Sequence, residues 1–186
     1  EYGERGLHDQ VSNLSAEIES IVQPDPARGK MGMHITGIIR QSRPFGPSLE
    51  LRRTLSGTLG NPAIRIHDEV INRGNTPAPH MLMYHCNFGW PFADTDSDLL
   101  WNGSWRPRNP EANNQIFIEG NSFKKCPAPL EAHNGFGEEV AFIDIEANSE
   151  GRCQCAIVNS SLALAAQLTF KKAQLPWLIN WQHWGH

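Results

Sequence analysis

The sequence predicts an all-β protein, an antiparallel β-sandwich, and three observations lead there. Apolar and polar residues alternate with period two along most of the chain. Short turn-forming clusters separate the alternating runs. No stretch sustains the 3.6-residue apolar period of a long amphipathic helix.

The runs follow one another in order. Residues 34–41 alternate and are rich in β-branched side chains. Residues 48–59 set Leu49, Leu51 and Leu55 among charged neighbours. In residues 63–72, Ile64, Ile66, Asp68 and Val70 share one face, and Arg65, His67, Glu69 and Ile71 share the other. Residues 80–88 read as a strand bounded by Pro79 and Gly89. Further strands are expected over 115–119, 139–146, 151–159 and 163–171. Residues 162–168 alone would also suit a helix, but Thr169 and Phe170 extend the run as a strand. Turns are expected at 73–77, Asn102-Gly103, Glu119-Gly120-Asn121, Asn134-Gly135 and Glu150-Gly151. Residues 91–114, rich in Asp, Trp, Asn and Pro, read as a long surface loop. With no repeat and no linker, residues 1–186 are expected to form one domain.

Composition narrows the function classes. The 186 residues suffice for a real core. A net charge of −4 disfavours general binding to a nucleic-acid backbone. No apolar run approaches the roughly 18–20 residues of a membrane helix, so neither nucleic acid nor membrane is an expected partner. The N-terminus lacks both the apolar segment of a signal peptide and an initiator Met, and the C-terminus stops just after a Trp-rich run. The chain is therefore expected to be part of a longer one, extending at both ends. Cys86, Cys126, Cys153 and Cys155 match neither a disulfide framework nor a zinc or redox motif. On a strand, Cys153 and Cys155 would point to one face as small core residues. A reducing, cytoplasmic setting is the expectation.

Eight histidines raise the possibility of a metal site. Their spacing does not favour one: there is no H-E-x-x-H and no zinc-finger pair. His80 and His85, five apart, would face opposite sides of a regular strand. His183 and His186 lie at the C-terminal end, where order is not expected. Arg40, Arg43, Arg52 and Arg53 read as a solvated strand face rather than a phosphate site. His85 differs in its setting, Tyr84-His85-Cys86-Asn87-Phe88-Gly89-Trp90-Pro91. Imidazole and amide groups suit sugar hydroxyls, and aromatic rings suit the apolar face of a sugar. On the local pattern alone, that reading and a hydrogen-bonded core histidine stand level.

Residues 68–89 resemble the central segment of aldose 1-epimerases: a strand ending in Asn72, a Thr76-Pro77 turn, then a strand bearing a histidine. The run Tyr84-His85-Cys86-Asn87-Phe88-Gly89 is similar to a branch of that superfamily marked by Tyr-His-x-Asn-x-Gly. Gly6-Leu7-His8, followed by Val11-Ser12-Asn13, resembles the Leu-His-Gly element of the family, with Asp9 where Gly is usual. Leu175-Pro176-Trp177-Leu178-Ile179-Asn180-Trp181 resembles a later Leu-Pro-aromatic-x-x-x-Trp strand. The three matches keep the family's order across most of the chain.

The resemblance implies a galactose mutarotase-like supersandwich, incompletely covered by these residues, acting on a small-molecule sugar without a cofactor. A mutarotase opens the sugar ring, taking a proton from the anomeric hydroxyl and giving one to the ring oxygen. By the resemblance, His85 is the general acid and His8 steadies neighbouring hydroxyls. Asn87 and Asn13 are expected to contact the sugar, and Trp181 or Trp90 to stack on it, although an interior role suits either tryptophan equally. The family's base is a glutamate after the Leu-Pro-aromatic-x-x-x-Trp strand, which would fall beyond His186. Glu138, Glu139 and Glu146 lie earlier and do not match it. The family's arginine upstream of the first histidine has no counterpart. A non-catalytic carbohydrate-binding domain and a metal-dependent β-barrel enzyme are the competing readings.

Overall fold

A computed structural model describes residues 11–95, 97–121 and 123–185. Their regular secondary structure is almost entirely antiparallel β-sheet, as the alternation predicts. The chain divides into two compact units, with the boundary between Met83 and Tyr84.

In the first unit, β1 (Glu17–Val22), β2 (Gly32–Ser42), β3 (Ser48–Thr58) and β4 (Ile64–Asn72) form one sheet in that order. β2 pairs with β3 from Gly32↔Thr58 to Ser42↔Ser48 without a shift. That register gathers Thr36, Ile38 and Arg40 with Glu50, Arg52 and Thr54 on one face. The face is laced by ion pairs. Arg40 binds Glu50 and Glu17 at 2.9 and 2.6 Å, and Arg52 binds Glu69 at 3.0 Å. The β1 strand, not anticipated from the sequence, is an edge strand whose bulge at Glu19 lets that carboxylate reach Arg52.

The expectation of one solvated arginine face holds for Arg40 and Arg52 and fails for the other two. Arg53, one residue beyond Arg52, points to the opposite face, where it grips Asp68 with two hydrogen bonds of 2.8 and 2.7 Å. Arg43 lies in the β2–β3 turn. Around the Arg53–Asp68 pair stand apolar side chains, of which Ile35, Leu55 and Ile66 remain more than a third exposed.

The second unit is a small sandwich. One sheet has the order β10 (Leu178–Gln182), β7 (Glu139–Ile145), β6 (Gly103–Pro107). The other has the order β5 (Asp98–Leu100), β8 (Arg152–Asn159), β9 (Leu164–Lys171). Their inner faces meet in a core of Trp101, Ile143, Ile145 and Cys153, flanked by Leu99, Trp105, Cys155, Phe170 and Leu178. Burying each such isoleucine contributes roughly 1.5–3 kcal/mol. Cys153 and Cys155 do share the inner face, and burial pushes the Cys155 thiol up to about 11, leaving it inert near neutrality.

Three sequence expectations are corrected here. Residues 80–88 pair with no ladder, because an apolar run between turn signals does not by itself supply a neighbouring strand. Residues 115–119 are not a strand either: the N–H groups of Gln115, Ile116 and Phe117 bond a carboxylate, that of Glu139, in place of a ladder. Residues 91–114 hold β5 and β6 rather than one long loop, since Trp101 and Trp105 belong to the core. Gly103 sits at φ 146, and a Cβ there would stand 2.3 Å from the Asp144 carbonyl oxygen, so this position opens the β6–β7 pairing only for glycine. Among the described residues, no helix is long and apolar enough to cross a membrane.

Candidate functional site

The β10 strand sets the site by alternation. Leu178 pairs with Ile143 and Gln182 with Glu139 on the inner face. Trp181, between them, turns outward and stays 45% exposed. An exposed indole is normally free to rotate, but this one is tethered: its Nε1–H donates to the Glu138 carboxylate. Glu138 also receives the Arg108 guanidinium at 2.6 Å. These two donors, Trp181 first and Arg108 second, hold the Glu138 carboxyl below the usual carboxylate range. His85, exposed on the unpaired segment before Gly89, meets the Trp181 ring at right angles, with centroids 6.3 Å apart and an interplanar angle of 88°.

A second set of rings continues from Trp181 through exposed His183 to buried His133. The His183 ring lies nearly parallel to Trp181, with centroids 6.0 Å apart at 16°, and to buried His133, 6.3 Å away at 14°. His133 Nδ1 accepts the Trp184 backbone N–H at 3.1 Å, so the ring proton sits on Nε2, which faces Glu139 Oε1 at 3.3 Å. Glu139 is buried, and desolvation alone would raise its pKa. The backbone N–H groups of Gln115, Phe117 and Ile116, with His133, outweigh that and hold it low.

Two glycines permit this packing. A Cβ on Gly137 would meet the Ala132 carbonyl oxygen at 2.1 Å, and one on Gly185 the His133 carbonyl oxygen at 2.7 Å. The 3₁₀ turn Glu131–His133 is thus approached by backbone from two sides, and Leu130 N–H closes on the Trp184 carbonyl at 2.7 Å.

Of the residues singled out from the sequence, His85 and Trp181 are brought together. Asn87 and Trp90 are exposed on the segment that carries His85, and neither touches the Trp181 ring among the described contacts. That segment is pinned instead by Phe88, edge-on to Phe92 with centroids 5.8 Å apart. Asn13 is exposed on a 3₁₀ turn of the first unit, and His8 lies outside the described residues. The structure adds Glu138, Arg108, His183, His133 and Glu139. Glu138 and Glu139 fit no expected motif, and although adjacent residues at a strand start face opposite sides, the pair alone does not say which glutamate is buried. His183 joins the ring set because β10 and the glycine contacts lead the chain up to it. Among the described residues, no three His, Cys, Asp or Glu side chains gather where they could hold a metal ion.

The fold and this surface define an all-β sandwich protein with an anchored aromatic platform beside a histidine. The chain belongs to the family described as "Domain of unknown function (DUF4432)", which it matches over residues 1–186. It is similar in fold to a crystal structure of a "putative aldose 1-epimerase" from Klebsiella pneumoniae, with a TM-score of 0.73 and 24% identity. The likeness covers 83% of this chain and 38% of that one, so the chain spans well under half of its neighbour's length. No curated protein matches it.

Proposed function

We propose that this protein acts on a free aldose or aldose derivative as an aldose 1-epimerase-like isomerase, with His85 as the general acid. The observation that carries the reading is the His85–Trp181 pair: a titratable ring beside an exposed indole that Glu138 holds in place. A fixed aromatic face receives the apolar side of a sugar at little entropic cost. Imidazole has an ordinary pKa near neutrality and so suits proton donation to a ring oxygen. Asn87, Trp90, Asn13 and His8 are assigned to sugar binding by the family resemblance. The likeness of fold to the Klebsiella protein supports the class of reaction and leaves the sugar open.

In the proposed step, His85 gives a proton to the ring oxygen while a base across the sugar takes the anomeric hydroxyl proton. The C1–O bond of the ring opens, C1 turns, and the steps reverse on the other face. NMR of freshly dissolved single anomers tests this with the wild-type protein and His85→Ala. Equilibration no faster than the buffer blank, for every sugar tried, rejects the reading.

One observation favours a second reading, sugar binding without turnover. The carboxylate that touches Trp181, that of Glu138, is already committed to two donors and so is a weak base, and Glu139 is buried and saturated. Calorimetry that detects sugar binding to a protein with no effect on anomer exchange would decide for it.

A further inference from the structure

We propose that His183 is a second sugar-contacting imidazole of the Trp181 surface, presenting Nε2 as a hydrogen-bond acceptor to a substrate hydroxyl. The inference rests on the reading of that surface as a sugar site and adds a residue that the family resemblance does not point to.

The first ground is the tautomer. His183 Nδ1 lies against the Gly137 carbonyl oxygen. A carbonyl oxygen only accepts, so Nδ1 carries the proton and donates it. In a neutral imidazole this leaves the lone pair on Nε2. The protein thereby decides which nitrogen is the acceptor, and among the described residues no hydrogen bond to His183 Nε2 is seen. The residue as a whole is exposed to solvent.

The second ground is placement. His183 follows Trp181 by two residues, which keeps both on the outward side of the chain, and the rings lie parallel within 16°. On its other side the buried His133 ring lies parallel within 14°, so packing as well as the Gly137 bond restrains the ring. Gly137 itself is held by its close approach to Ala132 and His133, where no Cβ could fit. An exposed histidine without a role would not be expected to have its ring fixed at three points. The result is a platform, Trp181, with His85 edge-on to it and His183 alongside. The chemistry fits a polyol: a hydroxyl donates to Nε2 while the C–H face of the sugar rests on the indole.

The test has two arms on the full chain. Long-range ¹H–¹⁵N NMR of the imidazole nitrogens should show His183 protonated at Nδ1 and bare at Nε2, with the Nε2 signal shifting as a saturating free aldose is added. Calorimetry with glucose, galactose, mannose and xylose should show His183→Phe, which keeps the ring but removes the acceptor, binding about tenfold more weakly than wild type. His183→Gln should restore part of the affinity. Failure of the wild type to bind any aldose overturns the sugar-site reading and this proposal with it. Wild-type binding that His183→Phe leaves unchanged, or a ring bare at Nδ1, overturns this proposal alone.

Discussion

The indole N–H of Trp181 donates to the carboxylate of Glu138, which in turn holds Arg108. This chain of contacts ties an outward-facing ring to the start of β7 and to the segment after β6. In Glu138→Ala, the Trp181 indole N–H should lose its protection, and its ¹H–¹⁵N signal should exchange with water markedly faster. Unchanged exchange would show that the ring is held by something else. The pH sense follows from the depressed Glu138 carboxyl. The anchor is complete above the ordinary carboxylate value of 4.5 and is lost as pH falls through the lower folded value.

His85→Ala should slow anomer equilibration by about 100-fold or more, the usual worth of a positioned general acid. Sugar affinity should fall much less, because the Trp181 platform remains. Trp181→Ala should do the reverse, weakening binding first. Equal loss of both quantities in the two variants would contradict the division of labour.

Glu139 accepts three backbone N–H groups and faces His133 while buried. Glu139→Gln replaces one acceptor oxygen by a donor facing donors, and should cost about 3 kcal/mol. Urea unfolding at neutral pH measures it. Because the folded carboxyl lies below its ordinary value of 4.5, its contribution is fully present above that pH and disappears as pH falls through the folded value. The gap in stability between wild type and Glu139→Gln should therefore narrow in acid.

Gly137→Ala places a methyl group 2.1 Å from the Ala132 carbonyl oxygen, against backbone that cannot swing aside. A loss of about 2–4 kcal/mol is expected, with a lowered Tm in calorimetry. Gly120→Ala is a useful control. Unlike Gly137 it has positive φ, at 84°, with open space around the new methyl group, so its cost should be backbone strain alone and smaller.

Much of the fold was legible in the chain. Period-two alternation marked β2, β3, β4, β7, β8 and β9 close to their observed bounds, and the family resemblance marked β10. Alternation failed where a pattern lacked a partner. Residues 80–88 carry strand-like residues without a neighbouring strand, and residues 115–117 spend their N–H groups on Glu139. The opposite error hid β5 and β6, whose polar neighbours mask Trp101 and Trp105.

Side-chain alternation and a local motif are properties of a single segment, so the class of fold could be read from the chain alone, and the motif drew attention to His85. What His85 stands beside is a matter of tertiary structure. Trp181 lies 96 positions further along the chain, and Glu138 just before a different strand. Their meeting depends on the β10–β7 register, which places Trp181 opposite Val140 and so within reach of Glu138. Neither segment carries that register alone. It comes from burying Ile143 and Leu178 on the shared inner face, which leaves Trp181 outside.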